Sequence, residues 1–393
     1  MLNLTANQLR SLPAEAAAAA DTLTELFLSE NQLECLPKAM RRLRNLTVLD
    51  VSRNEFPELG DAMVALLPRL RKLYIGRNKL SKLPVDIKNA VNLEELQAQE
   101  NCLAALPEQI CDMKSLVEMN LCNNGLKILP DGFGALTSLR RLLLSQNRLS
   151  SLPNSFSHIT RLGELRLGNN ELVSLPDNMG KNWASITVLR LDNNKLMSLP
   201  PSIAGMEKLG SLYLEHNELA SLPPEILNLS HLSSLMLCNN KLKSLPMFQP
   251  GHLPACTGVY CRDNQLSTLP KGLENLSSFR YLGADRNRIE SLDGKMLAGC
   301  PKLEYISLDD NKIVSLPKEI GLLKGLKRIE LKGNSAFLSL PSEFVRLNNL
   351  CEVGLDQKVR SLASRDLEKF LLACEKRLEE RRRWEAANYT GSG

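Results

Sequence analysis

The stretch LRLGNNELVSLP, residues 165–176, decides the fold of this chain. Two leucines, Leu165 and Leu167, alternate with polar or small neighbours, which predicts a short strand with one apolar face and one polar face. Asn170 ends that strand, and the next two leucines of the stretch point back toward the apolar face. Pro176 disfavours the helical conformation in the residue before it, so the chain is predicted to leave the turn in an extended form.

The same phrase, L-x-L-x-x-N-x-L-x-x-L-P, returns every 23 or 24 residues along almost the whole sequence. A single copy cannot bury its own leucines, so the copies must stack, and their strands then lie side by side in a parallel sheet. The proline lies six residues after the asparagine in twelve of the fifteen copies. The fifteen marker asparagines are Asn7, Asn31, Asn54, Asn78, Asn101, Asn124, Asn147, Asn170, Asn194, Asn217, Asn240, Asn264, Asn287, Asn311 and Asn334.

The marker asparagines are predicted to join neighbouring copies. A buried side-chain amide both donates and accepts hydrogen bonds, and it can satisfy backbone groups of its own turn and of the adjacent copy. The markers from Asn31 to Asn334 are therefore expected to form a structural ladder along the array.

The period and the pattern are those of a leucine-rich repeat, and the chain resembles that family over residues 1–358. The resemblance implies an α/β repeat solenoid, a horseshoe with a concave parallel sheet and a convex side that is mostly extended or 3-10. The Leu-Pro form is similar to the intracellular Ras-group leucine-rich-repeat proteins of plants and to the related Ras-pathway scaffold of animals. Those proteins are implied to be non-catalytic scaffolds that hold small GTPases or phosphatase subunits on the concave face.

Two regions are predicted from the change of period along the chain. Residues 1–358 are expected to form one elongated solenoid domain of about 15 full copies and a degenerate last one. In residues 359–393, apolar residues from Leu367 to Leu378 recur at spacings of three and four, which predicts an amphipathic helix that caps the last copy, followed by a disordered tail. The run Arg381–Arg383 is interpreted as a solvated helix face, with a membrane-surface or nuclear-import role as the alternative.

No catalytic or metal-binding constellation is predicted. The four histidines are far apart in repeat phase, and the sequence has no glycine-rich phosphate loop. His252, Cys256 and Cys261 have a faintly metal-like spacing, but the two cysteines occupy leucine positions of the repeat and should point into the core. The chain is therefore expected to be a non-enzyme without a cofactor or a metal.

Composition and charge restrict the compartment and the partner. The first 20 residues lack a basic segment followed by an apolar one, no apolar run is long enough to span a membrane, and the ten cysteines are scattered. These features favour a reducing cytoplasm. The inner strand positions carry 16 basic and 17 acidic side chains, whereas a nucleic-acid surface should be dominated by lysine and arginine, so no nucleic-acid partner is expected.

The positions of the aromatic residues indicate a protein-binding surface. Five of the six tyrosines fall on outward strand positions, and in the C-terminal half large side chains occupy five successive copies. Tyrosine, methionine and arginine are enriched at protein interfaces, although tyrosine also simply suits strands. The predicted partner-binding residues are Tyr213, Met236, Tyr260, Tyr281 and Tyr305, flanked by Arg262, Asp285 and Asp309.

A second patch and two other functions remain open. Arg141, Arg166 and Arg190 could bind an acidic segment of a partner, but alternating solvated charge is an equal explanation. The leading interpretation is a monomeric scaffold that binds a protein partner, in small-GTPase or phosphatase signalling. The alternatives are a substrate-recognition or regulatory arm of an enzyme complex, such as a ubiquitin ligase or a cyclase regulator, and a self-assembling structural role.

Overall fold

The computed structural model describes residues 1–17 and 22–389. The chain divides into two compact units, Met1–Leu209 and Gly210–Gly393, and this boundary lies inside the predicted 1–358 domain. Residues 18–21 and 390–393 lie outside the described residues.

The first unit is an open parallel sheet in which each strand pairs with the next one in sequence order. Leu142, Leu165 and Leu189 are register partners on three adjacent strands, so the same slot of each copy stacks on the next. Within its described residues the strands are β1 (Leu2–Asn3), β2 (Glu25–Phe27), β3 (Val48–Asp50), β4 (Lys72–Tyr74), β5 (Glu95–Gln97), β6 (Glu118–Asn120), β7 (Arg141–Leu143), β8 (Glu164–Arg166) and β9 (Val188–Arg190).

The return legs of the first unit are mostly short 3-10 segments. A proline in extended conformation precedes most of them, as Pro107 does with φ −69° and ψ 148°, because proline cannot donate the hydrogen bond that an earlier helical turn would need. The legs are Ala14–Ala17, Lys38–Arg42, helix α1 (Asp61–Val64) with Leu67–Arg69, Val85–Asn89, Glu108–Asp112, Asp131–Ala135, Asn154–His158, Met179–Asn182 and Pro201–Gly205.

The second unit repeats this plan and ends in a long helix. Its parallel strands, again paired in sequence order, are β10 (Ser211–Tyr213), β11 (Ser234–Met236), β12 (Gly258–Tyr260), β13 (Tyr281–Gly283), β14 (Tyr305–Ser307), β15 (Arg328–Glu330) and β16 (Glu352–Gly354). Its helical segments are the 3-10 turns Pro224–Asn228, Leu273–Asn275, Lys318–Leu322 and Ser342–Arg346, and the helices α2 (Gly294–Ala298), α3 (Gln357–Ser361) and α4 (Arg365–Tyr389).

Two short α-helices mark copies that lack the usual proline. In the copy of Asn54 the chain forms α1, and in the copy of Asn287 it forms α2. Asp293 occupies the proline position in the second case, and its carboxylate accepts a hydrogen bond from the backbone amide of Lys295 at 2.8 Å. An acidic N-cap therefore starts an α-helix where proline would have started a 3-10 turn.

The core consists of the leucine slots, with some aromatic side chains on the return side. In the first unit the fully buried Phe156 stacks on Phe133 at 5.9 Å between ring centroids and meets Trp183 edge-on at 5.7 Å. These contacts join the return legs of three consecutive copies, as the leucines join the strands.

Helix α4 packs on the last copy. Leu367, Leu371 and Cys374 are buried on one face of the helix, and the Phe370 ring meets Phe344 edge-on at 6.0 Å. The helix runs through Tyr389, so residues beyond Glu379, which lack the leucine spacing, are also helical.

The predicted fold class, a repeat solenoid with one parallel strand and a largely 3-10 return leg per copy, is confirmed within each unit. Among residues 1–17 and 22–389, no helix combines the length and the apolar character that crossing a bilayer requires.

Candidate functional site

The predicted partner-binding side chains lie in two rows on the solvent-facing side of the second unit's strands. Tyr213 pairs in register with Met236, and Met236 pairs with Tyr260. Tyr281 and Tyr305 pair with each other in a second row, which starts two residues earlier in the strand. We call this surface the tyrosine face; it consists of Tyr213, Met236, Tyr260, Tyr281 and Tyr305.

Glycines occupy both positions where the two rows meet. Tyr260 is opposite Gly283, and Tyr281 is opposite Gly258. A Cβ atom at Gly258 would lie 2.6 Å from the Tyr260 ring, and one at Gly283 would lie 3.3 Å from it. The Tyr260 ring therefore lies against the sheet over Gly258, in space that any larger side chain would fill.

The tyrosine rings combine apolar area with polar groups. Tyr281 is 37% exposed, whereas Tyr260 is half-buried, and burial raises the pKa of the Tyr260 phenol. The guanidinium carbon of Arg328 lies 5.5 Å from the centroid of the Tyr305 ring, which is a cation–π contact. This arrangement is suited to burial against another protein surface.

The flanking charged residues are tied to their neighbours. Arg262 Nε donates to a carboxylate oxygen of Asp263 at 3.0 Å. The carboxylate of Asp285 accepts hydrogen bonds from the Ser307 hydroxyl and, at 3.0 Å, from the backbone amide of Asp309. Asp309 in turn accepts from the backbone amide of Lys332 at 2.7 Å. The two aspartates thus link adjacent copies as well as bordering the tyrosine face.

The carboxyl of Asp309 should make the stability of the protein depend on pH. Burial, together with Glu330 and Asp285, raises its pKa from about 3.8 to about 6. A raised pKa means that the folded state binds the proton more tightly than the unfolded state, so the stabilisation is complete below about pH 4 and is lost as the pH rises through 6.

Replacing this carboxyl with a neutral amide should remove the cost of its charge. Asp309→Asn keeps an oxygen acceptor for Lys332, and we expect it to be about 1 kcal/mol more stable than the parent at pH 7.5, because solvent screens a half-exposed carboxylate. The advantage should disappear at pH 4 in urea unfolding experiments. Asp310→Asn, at the exposed neighbouring position, is the matched control. An unchanged or lower stability of the Asp309 variant at pH 7.5 would contradict this assignment.

The arginines of the predicted second patch are already paired. Arg141 lies between Glu118 and Glu164, each at 3.0 Å, and Arg166 pairs with Glu164 at 2.5 Å. Arg190 pairs at 3.1 Å with Asp192, which lies two residues later in the same copy. Their charges are locally balanced, so the patch does not present an excess of positive charge to an acidic partner.

The marker asparagines make a repeated set of hydrogen bonds. In most copies the amide nitrogen donates to carbonyls of its own turn and of the preceding copy, and the amide oxygen accepts from a backbone amide of the preceding copy. For Asn170 these bonds run to Leu167 at 2.9 Å, to Leu144 at 3.0 Å and from Leu149 at 3.0 Å. The residue before each marker has a left-handed backbone, with φ between 49° and 59° wherever it is not glycine.

The cysteines and histidines do not assemble into a site. Cys256 and Cys261 are buried in the core, and burial raises the pKa of the Cys256 thiol to about 11. The ring nitrogen Nδ1 of His252 accepts from the backbone amide of Gln249 at 3.0 Å. In the part of the chain that the structure describes, no group of three or more histidine, cysteine, aspartate or glutamate side chains could hold a metal ion.

Sequence reasoning missed Gly258, Gly283 and Arg328 as contributors to the tyrosine face. Glycine inside a strand often marks a close approach by another group, so the two glycines were a usable signal. Arg328 could not have been found in this way, because its position over Tyr305 depends on the side-chain conformation.

Known proteins with the same repeat resemble this chain in sequence and in structure. A family model described as leucine rich repeat matches residues 1–56, 114–172, 160–219 and 285–335. A solved LRR protein of Leptospira interrogans is 31% identical, with a TM-score of 0.75, and the alignment covers 94% of this chain and 98% of that chain.

Two curated relatives match shorter stretches. A probable serine/threonine-protein kinase of Dictyostelium discoideum is 42% identical over 67 residues, which are 17% of this chain and 5% of the kinase. Fibromodulin of Sus scrofa is 31% identical over 83 residues, which are 21% of this chain and 54% of fibromodulin. The matched part of the kinase is thus a small fraction of its length.

Proposed function

Because the chain belongs to the leucine-rich-repeat family, we propose that it is a non-catalytic interaction protein that binds a protein partner on the tyrosine face. The supporting observation is that five large side chains project from five successive strands, β10–β14, in two adjoining register rows. Proteins of this family generally act in protein–protein interaction.

The geometry of the tyrosine face suits a protein better than a metabolite. At about 4.8 Å between neighbouring strands, five strands span roughly 20 Å, which accommodates a small domain or a long peptide. A sheet surface of this width is too open to enclose a small metabolite. The strands hold the rings in place, so little side-chain freedom is lost when a partner binds.

We infer the partner class from the Leu-Pro phrase, which resembles that of Ras-group repeat proteins. A small GTPase or a phosphatase subunit is the first candidate, in the cytoplasm, with the chain acting as a monomeric scaffold. Sizing with light scattering tests the last point: a mass that rises with concentration would favour a self-assembling role.

A second candidate is a regulatory or substrate-recognition arm of a larger enzyme. The observation that favours it is the similarity to a kinase of which this chain spans 5%. Sequencing the full transcript separates the two candidates, because a catalytic domain encoded next to residue 1 or residue 393 would support the arm.

Truncating two rings of the tyrosine face should abolish partner capture. Tyr260→Ala combined with Tyr281→Ala removes the two rings that lie opposite Gly283 and Gly258, where the two rows meet. We expect a loss of about 2–4 kcal/mol in binding free energy, which is typical of interface hot spots. Affinity capture from cell extract with the parent and the double variant, followed by titration of the captured partner, measures this loss.

The controls use matched positions. Tyr74→Ala removes a tyrosine at the same strand position in the first unit, and Glu225→Ala changes a 3-10 return leg. Both should retain the partner. If the double variant is folded and captures the same proteins with the same affinity, the tyrosine face is ordinary strand composition and the proposal is wrong.

A further inference from the structure

A cleft lies between helix α4 and the first residues of strands β13–β16, next to the tyrosine face. It has a volume of about 490 Å³. Tyr281, Tyr305, Lys327 and Arg328 line the strand side, and Arg381 and Arg382 line the helix side. Helix α4 continues beyond its own buried residues, Leu367 and Leu371. The second half of the helix therefore lies beside the first residues of the strands, and the cleft is the space between them.

The carboxylates in the cleft already have cationic partners. Glu304 pairs with Lys327 at 2.6 Å and also with Arg280. Glu352 pairs with Arg328 at 3.2 Å, and Glu385 pairs with Arg381 at 2.9 Å. A cation entering the cleft would have to compete with an existing ion pair at each of these carboxylates.

Some hydrogen-bond donors in the cleft, unlike its carboxylates, have no partner among the residues that the structure describes. Within residues 1–17 and 22–389, Arg382 has no ion-pair partner, and the phenolic hydroxyls of Tyr281 and Tyr305 make no hydrogen bond. An entering anion would therefore find one unpaired guanidinium and two free hydroxyl donors without breaking an ion pair.

We propose that this cleft binds an acidic segment of the protein partner, with an aspartate or glutamate carboxylate on Arg382 and adjacent apolar atoms on the rings of Tyr281 and Tyr305. The inference rests on the proposed function and names the chemistry of the partner. One unpaired cation matches the single charge of a carboxylate better than the double charge of a phosphate. Nucleic acid fits poorly because the cleft offers one unpaired cation to a backbone that carries a charge at every nucleotide. A flat membrane surface fits poorly because α4 forms a wall beside the strands.

The test uses the full chain and three fluorescein-labelled peptides in fluorescence anisotropy titrations. The acidic peptide is EEFEELEE, and its neutral and phosphorylated counterparts are QQFQQLQQ and QQFpSQLQQ, where pS is phosphoserine. We expect the acidic peptide to bind at least tenfold more tightly than the neutral one. Equal binding of the two, or tighter binding of the phosphopeptide, would overturn the assignment to carboxylates.

Neighbouring arginines on α4 supply a matched pair of variants. Arg382→Gln should weaken the acidic peptide at least fivefold, whereas Arg383→Gln, which does not line the cleft, should leave its affinity within twofold of the parent. Equal losses in both variants would show a general charge effect and overturn the proposal. Vesicles containing phosphatidylserine should bind the two variants equally; a loss specific to Arg382→Gln would assign the cleft to a membrane surface instead.

Failure of this inference is distinguishable from failure of the proposed function. If the double tyrosine variant loses the captured partner while Arg382→Gln keeps it at full affinity, the cleft assignment is wrong and the tyrosine face stands. If Arg382→Gln weakens the acidic peptide but the double tyrosine variant keeps the captured partner, the cleft binds acidic segments and the tyrosine face is not the partner surface.

Discussion

Removing helix α4 by ending the chain before Ser364 is expected to destabilise the second unit by roughly 5 kcal/mol. The helix buries Leu367, Leu371 and Cys374 against the last copy, and each large apolar side chain contributes about 1.5–3 kcal/mol when fully buried. Arg377 also donates to the backbone carbonyl of Leu350 at 2.9 Å, a bond that truncation would remove. The apolar end of the array would then face water, as in repeat proteins without a cap.

Hydrogen exchange measures this effect where it should be largest. Amides of β15 and β16 should exchange much faster in the truncated chain, while those of the first unit should change little. Slow exchange in β15 and β16 after truncation would show that α4 is not the cap.

Two single substitutions on α4 test the same packing contact in case the truncated chain aggregates. Leu371→Ala, at a side chain that is 7% exposed, should cost at least about 2 kcal/mol in urea unfolding. Leu372→Ala, at the next residue, which is 61% exposed, should be close to neutral. Similar costs for the two would mean that the helix packs through another face.

Most of the fold could be predicted because the marker asparagines recur at a nearly constant spacing. Once Asn170 and its equivalents are aligned, each leucine slot has the same neighbours in every copy, so one argument about Leu165 applies to the whole array. The exceptions follow from local chemistry: Asp293 replaces a proline, and an α-helix appears in place of a 3-10 turn. The left-handed residue before each marker had only a partial signal. Residues that favour positive φ, such as Asn169 and His216, hold this position in some copies, whereas Glu30 and Arg77, which have no such preference, hold it in others.

The site was predictable only as a set of positions. The alternation of strand residues put Tyr260 and Tyr281 on the solvent-facing side, but the space that Tyr260 occupies over Gly258 depends on a ring conformation. The pairing of Arg141 with Glu118 and Glu164 likewise depends on where long side chains meet across strands. The cleft beside α4 was beyond sequence reasoning, because it requires the path of a helix whose second half lacks the leucine spacing.

Asn170→Ala is expected to destabilise the first unit by about 1–3 kcal/mol. The side chain is 8% exposed, and its loss would leave the backbone amide of Leu149 without a hydrogen-bond partner. The carbonyls of Leu144 and Leu167 would each keep one donor, the side-chain amides of Asn147 and Asn194 respectively. A buried backbone group without a hydrogen bond costs about 1–3 kcal/mol, so the unpaired Leu149 amide accounts for the expected loss.

The control for this variant must respect the backbone at the preceding residue. Asn169 is exposed and has φ 58°, a conformation that favours asparagine over alanine, so Asn169→Ala would add a backbone cost of its own. Asn169→Gln is the better control, because Gln146 holds the same position of the preceding copy at φ 59°.

Urea unfolding followed by circular dichroism separates the two variants. Asn170→Ala should lower the midpoint strongly and Asn169→Gln should leave it nearly unchanged. Since the lost bonds join neighbouring copies, Asn170→Ala should also broaden the transition, because stacked repeats unfold together only while their interfaces hold. Equal midpoints for the two variants would mean that the interface between these copies is held by leucine packing alone, and that the asparagine ladder contributes no net stability.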